Sequence, residues 1–268
     1  MNILVIGRAK TGTTIIAKTL ENSLEDCNFI MEPKSISDIE TKYNPKNKHN
    51  VIKVIFEHWN KTPRLRNALI NNEFSIKFDK VVFIARDPRD EMISRMMYFV
   101  KPYFDKNGFD KTMYENWLSK IIYKQQNPKA YTFLQLIHDK NLLFGSNFLH
   151  LINATNVYFK FLNGNRKFGH VIKYEDFISG NIGELENYLS LTLNHTIKDQ
   201  PVIRQTKRSS KFDNWREFFT ATDVEIFKKL LKPNPFYKLI DWELTNSELM
   251  PENYQHYITN LVNKSYLQ

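Results

Sequence analysis

The chain opens on a stretch that leaves few folds open to it, Asn2-Ile-Leu-Val-Ile-Gly-Arg-Ala-Lys-Thr-Gly-Thr-Thr-Ile-Ile16. Asn2 to Ile6 is a short apolar run rich in branched residues, the pattern of a buried strand. It ends at Gly7, and a helical pattern begins at about Thr13. A strand, a tight glycine-containing loop and a helix N-terminus together make an anion cradle. The loop N–H groups point inward, and the helix dipole adds about half a positive charge. The spacing Gly7-x-x-x-x-Gly12 is that of a P-loop, but Thr13-Thr14 stand where Lys-Ser/Thr would follow. The lysine lies inside the loop, as Lys10.

In a P-loop that binds a nucleoside triphosphate, the lysine after the second glycine reaches the β/γ-phosphates and the next hydroxyl helps hold Mg²⁺. Here Thr13 and Thr14 offer hydroxyls to a phosphate, while Lys10 projects from the loop itself. That places a cation beside the outermost bridging oxygen, where a leaving group gains charge. A Gly-Thr turn opening an ordinary helix, with Lys10 in solvent, is the competing reading of this stretch.

The 268 residues, 42% hydrophobic and 14% aromatic, suffice for one α/β domain or two small ones. A formal charge of +9 suits anionic partners, whether nucleotide, sulfated glycan, nucleic acid or membrane surface, without choosing among them. The single cysteine, Cys27, excludes an intramolecular disulfide and a Cys-based zinc site, and reads as a buried structural thiol. No run approaches the roughly 18 apolar residues that span a bilayer. The first strand begins at residue 2, where a signal peptide would otherwise stand, so a cytoplasmic protein is expected.

After a first helix to about Leu24, Cys27 to Met31 reads as a second strand ending at Glu32-Pro33, and the polar segment around Pro45 as a surface loop. Val51 to Phe56 is a third strand, interrupted only by Lys53; Pro63 to Asn71 is a crossover helix; Val81 to Ala85 is a fourth, wholly apolar strand. Alternating strands and helices at this spacing predict a doubly wound α/β parallel sheet. The fourth strand runs into Arg86-Asp87-Pro88-Arg89-Asp90, where Asp87 is a good N-cap, Pro88 suits the first helical position and Asp90 supplies a capping-box acid. Arg86 thus stands at a strand tip, where open α/β sheets bind ligands, with Ser94 two turns into the helix. Such a pair can clamp one phosphate from two sides; a surface Arg-Asp pair and a solvated serine are the alternative.

Lys111 to Phe161 is helical in pattern, with breaks near Pro128 and at Lys140 to Gly145; His138 and His150 read as structural histidines within its stripes. Gly169 to Lys173 is a fifth strand, followed by Tyr174-Glu175-Asp176. Arg204 to Arg216 is basic and hydroxyl-rich, with Lys207, Arg208 and Lys211 as candidate anion contacts and Ser209 and Ser210 as further donors; a solvated loop is the default for such a run. Helices from Thr222 to Leu231 and from Pro251 to Tyr266 close the chain. One domain spanning 1–268, with a helical elaboration at about 111–165, is the simplest organisation.

Together these stretches resemble the sulfotransferases that use 3′-phosphoadenosine-5′-phosphosulfate (PAPS). That family's loop, Pro-Lys/Arg-Ser-Gly-Thr-Thr, is similar to Ala9-Lys10-Thr11-Gly12-Thr13-Thr14. Its Arg-x-Pro-x-Asp, with a serine eight residues after the arginine, is similar to Arg86 through Ser94. Its Tyr-Glu-Asp matches Tyr174-Glu175-Asp176, and its closing loop resembles Arg208-Ser209-Ser210 followed by Trp215-Arg216 and Phe219-Thr220. The resemblance implies a P-loop-like sulfotransferase fold and transfer of a sulfuryl group from PAPS by in-line displacement, releasing 3′,5′-ADP, with no metal. It implies that Lys10, Thr11, Gly12, Thr13 and Thr14 hold the 5′-phosphosulfate end, with Arg8 counted beside them. Arg86, Ser94 and Arg208 would hold the 3′-phosphate, with Ser209 and Ser210 in the same loop, and Tyr174 would lie near the adenine.

The sequence departs from cytosolic members in three places. Ile15 stands where a tryptophan is usual, Ser209-Ser210 replace Lys-Gly, and Ile55 stands where counting from Lys53 would place the catalytic histidine. Golgi-type relatives use a glutamate at the end of the second strand as base, and Glu32 is at about the matching distance from Lys10. Glu57 and His58 are its rivals. The acceptor is expected to be a soluble small molecule bearing a hydroxyl or amine, with no nucleic acid and no membrane as partner; Tyr98, Phe99, Tyr103 and Phe104 either line its pocket or belong to the core. Two other readings compete: a P-loop kinase with a degenerate loop, and a non-catalytic binder of nucleic acid or glycan.

Overall fold

The computed structural model describes residues 1–59, 67, 69–73, 75–145, 147, 149–194, 212–235, 241–244, 250 and 253–266. Its sheet has five strands, β1 (Asn2–Gly7), β2 (Cys27–Met31), β3 (His49–Ile55), β4 (Lys80–Ala85) and β5 (His170–Lys173), in the order β2-β3-β1-β4-β5. Every pairing is parallel. The sequence follows from that geometry: parallel strands covered on both faces read as continuous apolar runs, and Ile3, Leu4, Val5 and Ile6 are all buried. On one face Ile3, Val5, Val82 and Ile84 pack with Ile16, Ala17 and Leu20 of the Thr13–Asn22 helix and with Phe177, Leu185 and Leu189. The chain starts in the middle of the sheet and places β3 to one side of β1 and β4 to the other. Such a reversal of winding opens a crevice at the carboxyl ends of the strands. The register sets those ends level, with Gly7 opposite both Ile55 and Ile84 and Met31 opposite Lys53.

The chain divides into two compact units, Met1–Arg86 with Lys160–Thr206, which carries the sheet, and Asp87–Phe159 with Lys207–Gln268. The second is helical. Among the described residues its helices are Pro88–Tyr98, Val100–Asn107, Lys111–Gln126, Phe133–Phe144, Trp215–Phe218, Ala221–Leu231 and Tyr254–Tyr266, with the greater part of Leu149–Asn165. Its core holds Met92, Met96, Trp117, Phe133, Trp215 and Phe227. The Phe99, Tyr103 and Phe104 rings stack edge-on to Phe144, so these aromatics belong to that core. Asp87 caps as expected, accepting from Arg89 N at 2.8 Å with Pro88 in the first turn. Asp90 accepts from the Trp215 backbone N–H at 3.0 Å, a tertiary contact that local capping rules do not anticipate.

Two expectations are corrected. The polar loop around residues 34–48 contains a helix, Ile36–Lys42, with Ser35 Oγ accepting from Asp38 N at 3.1 Å and Asp38 Oδ2 from Lys34 N at 3.0 Å. Only Ile39 of that helix is buried, so no apolar stripe announced it. His138 and His150 are exposed rather than set in the apolar stripes. The buried polar side chains of that region include Lys124, Lys140, Thr155 and Asn156 instead. The Pro63–Asn71 crossover helix falls mostly outside the described residues. Among the described residues no helix is long and apolar enough to cross a membrane.

Candidate active site

The loop after β1 is held in a conformation that ordinary residues avoid. Gly12 has φ 86°, and so does Lys10 lie at positive φ, 67°. A Cβ on Gly7 would come 3.0 Å from Thr11 Oγ1 and 3.1 Å from Ile84 Cβ, and one on Gly12 would run into the Tyr174 ring. Thr11 closes the turn on itself, its N–H and hydroxyl reaching Arg8 O at 3.3 and 2.8 Å. Gly12 is the N-cap of the Thr13–Asn22 helix, so the cap brings no side chain to the first N–H groups, and the first turn contains no acidic residue. A helix start of this kind, ringed by hydroxyls, offers its N–H groups and dipole to an anion.

Neighbouring strand ends brace the loop. Glu57, in the Phe56–Trp59 turn after β3, accepts from Arg8 Nε at 3.1 Å and from Ala9 N at 3.2 Å. Arg8 is fully buried, so its guanidinium is paired inside the fold. Arg86, at the tip of β4, donates from Nη1 to Lys10 O at 2.9 Å and lies 4.4 Å over the Tyr174 ring. Tyr174 in turn covers Gly12.

Beside the loop stands a buried cation. Lys53 on β3 is 1% exposed, and its Nζ lies 2.5 Å from Glu32 Oε1 and 2.9 Å from Thr14 Oγ1. Burial pushes the Lys53 ammonium below its ordinary range, against the pull of Glu32. Glu32 follows β2 directly; its N–H donates to Lys53 O at 2.9 Å, and it too has positive φ, 51°. Its side chain is 36% exposed, which leaves the carboxylate open to a substrate. The next residue, Pro33, accepts from Trp59 Nε1 at 2.9 Å. A buried lysine ties a half-exposed carboxylate to the phosphate-type loop.

The model of the sulfotransferase domain family matches residues 1–230. The chain belongs to the sulfotransferase family. Its fold is similar to that of mouse sulfotransferase SULT7A1 complexed with PAP, at 15% identity and a TM-score of 0.51, over 89% of this chain and 85% of that one. Retinol dehydratase in complex with androsterone and inactive cofactor PAP aligns at 14% identity and a TM-score of 0.48, over 92% and 83% of the two chains. No curated protein compared with the sequence matches it.

In this sulfotransferase the sheet unit carries Arg8, Lys10, Thr11, Gly12, Thr13, Thr14, Glu32, Arg86 and Tyr174. Ser94 is buried in the Pro88–Tyr98 helix of the helical unit, and Arg208, Ser209 and Ser210 lie outside the described residues. His58 is exposed, and Glu57 is engaged with Arg8 and Ala9. Lys53 is the residue that sequence reasoning passed over, reading it as an interruption in a strand. The signal was there: a lysine inside a strand covered on both faces is buried only with a partner. Among the described residues no group of three or more His, Cys, Asp or Glu could hold a metal ion.

Proposed function

We propose that this sulfotransferase moves the sulfuryl group of PAPS to a hydroxyl or amine of a soluble small-molecule acceptor in the cytoplasm. The observation that carries the reading is the Glu32–Lys53–Thr14 chain, which sets a candidate base next to an anion-binding helix start. The loop suits the donor: its glycines leave no room for a Cβ, its helix start lacks acidic residues and its hydroxyls line the turn. Family membership and the PAP held by the mouse sulfotransferase are in keeping with it. When bound, PAPS supplies a sulfuryl group on a phosphate leaving group, transferred in line with release of 3′,5′-ADP.

Lys10, Thr11, Gly12, Thr13 and Thr14 are assigned to the 5′-phosphosulfate end, where the Lys10 ammonium neutralises charge as it develops on the leaving phosphate. Arg86 is assigned to the 3′-phosphate and Tyr174 to the adenine; Ser94, Arg208, Ser209 and Ser210 follow by sequence resemblance alone. Arg8 supports the loop from within through Glu57. Glu32 takes the acceptor proton, as a base must from hydrogen-bond reach. Lys53 holds that carboxylate fixed in direction, and His58 is the rival for the role.

Thermal-shift titrations test the reading. Stabilisation by 3′,5′-ADP without Mg²⁺ is expected, followed by label transfer from PAPS in a screen of hydroxyl- and amine-bearing acceptors. Stabilisation by ATP–Mg²⁺ with none by 3′,5′-ADP overturns it in favour of a kinase.

A further inference from the structure

Two candidate catalytic residues share an unusual backbone, since Lys10 and Glu32 both lie at positive φ. A non-glycine residue persists there only where its surroundings over-determine it. In each case a neighbour in sequence is held by the same short element. Ala9, just before Lys10, donates its N–H to Glu57, and Pro33, just after Glu32, accepts from the Trp59 indole. Glu57 and Trp59 are two residues apart in the Phe56–Trp59 turn, which follows directly on β3.

That turn is well seated. Ile55, the last residue of β3, pairs with Gly7, so the turn begins level with the start of the loop. Phe56 and Trp59 are each 2% exposed, and the Phe56 ring lies 4.9 Å from that of Phe161. Glu57 grips the loop at two points, one oxygen on the buried Arg8 guanidinium and the other on the Ala9 N–H. Two contacts from one rigid carboxylate fix the direction of the chain entering Lys10 as well as its position.

We propose that the Phe56–Trp59 turn sets the separation between the Lys10 loop and the Glu32 carboxylate. Glu57 is the positioning residue on the donor side and Trp59 the positioning residue on the base side. This rests on the reading that Lys10 serves the donor and Glu32 the acceptor. It removes Glu57 from contention as the base, because its carboxylate is spent on the loop.

The test is a split between binding and turnover in the full-length protein. Glu57→Gln, which leaves one acceptor oxygen for the two donors Arg8 and Ala9, raises the Kd for 3′,5′-ADP and the KM for PAPS by about tenfold and leaves kcat within about threefold. Trp59→Phe leaves that Kd unchanged and lowers kcat by about tenfold or more, since a small misplacement of the base costs rate. Independently of any variant, the Ala9 amide and Trp59 indole protons of the wild type exchange slowly with solvent. Equal effects of both variants on Kd and kcat, no effect of either, or fast exchange at both protons overturns the proposal. Loss of turnover in Glu57→Gln, with Kd unchanged, overturns it by making Glu57 the base. Failure of the wild type to bind 3′,5′-ADP sinks the donor reading instead, before either variant is made.

Discussion

The Lys53 ammonium lies 2.5 Å from the Glu32 carboxylate, and the same nitrogen lies 2.9 Å from the Thr14 hydroxyl. One buried cation therefore joins the end of β2 to the first turn of the helix after the loop. A lysine moved out of water is costly unless it is paired and hydrogen-bonded, and here it has both kinds of partner. In the proposed reaction the pair would couple the two halves, because the side chain that holds the proposed base reaches the proposed donor loop.

Replacing Glu32 by glutamine keeps shape and hydrogen bonding to Lys53 but removes the proton acceptor. Affinity for 3′,5′-ADP is expected to stay unchanged while turnover falls by roughly 10² to 10⁴, the range for a lost general base. Calorimetric titration and a labelled-PAPS assay read the two quantities. Normal turnover would transfer the role to His58.

Lys53→Met separates function from stability. Removing the ammonium also removes its desolvation cost, and Glu32, 36% exposed, is left with water as partner rather than stranded. Denaturant unfolding is expected to give a change within about 1 kcal/mol, with turnover down by about 10². A loss of several kcal/mol would mark the pair as a structural element instead.

Lys10 at φ 67° is a strained position whose cost glycine escapes and alanine does not. Lys10→Gly is expected to be more stable than Lys10→Ala by about 1 kcal/mol, with both variants equally poor in turnover. Equal stabilities in urea titrations would mean that the loop relaxes out of that conformation.

Lys124 is fully buried in the helical unit, donating to Pro128 O at 2.8 Å and Tyr131 O at 2.5 Å. Burial pushes it from 10.5 down to about 8, with Asp223 pulling the other way. Between those values the unfolded chain holds more protons than the folded one, so this group's contribution to stability rises with pH from about 8 to 10.5 and is flat below about 7. The difference in unfolding free energy between the wild type and Lys124→Met is expected to follow that course. A difference that falls across this window would contradict the assignment.

Much of the sheet unit is legible in local pattern. The apolar runs at β1 and β4 and the glycines at 7 and 12 each announce their role within a few residues, as Asp87-Pro88 does at a helix start of the helical unit. The Ile36–Lys42 helix escapes because a helix with one buried residue has no stripe to read. Glu57 looked like a rival base because its charge is visible in sequence, whereas its commitment to Arg8 and Ala9, 49 and 48 positions away, is not.

The sequence alone determined the parallel α/β sheet, the family and the glycine loop with its lysine inside the turn. Those depend on periodicity and spacing within a dozen residues or so, where backbone sterics and helix capping act. Only the tertiary structure decided that Lys53 bridges Thr14 and Glu32, that Arg86 grips the Lys10 carbonyl and that Tyr174 covers Gly12. These contacts join strand ends far apart in the chain, and which of them meet is set by strand order and register, to which local pattern is blind.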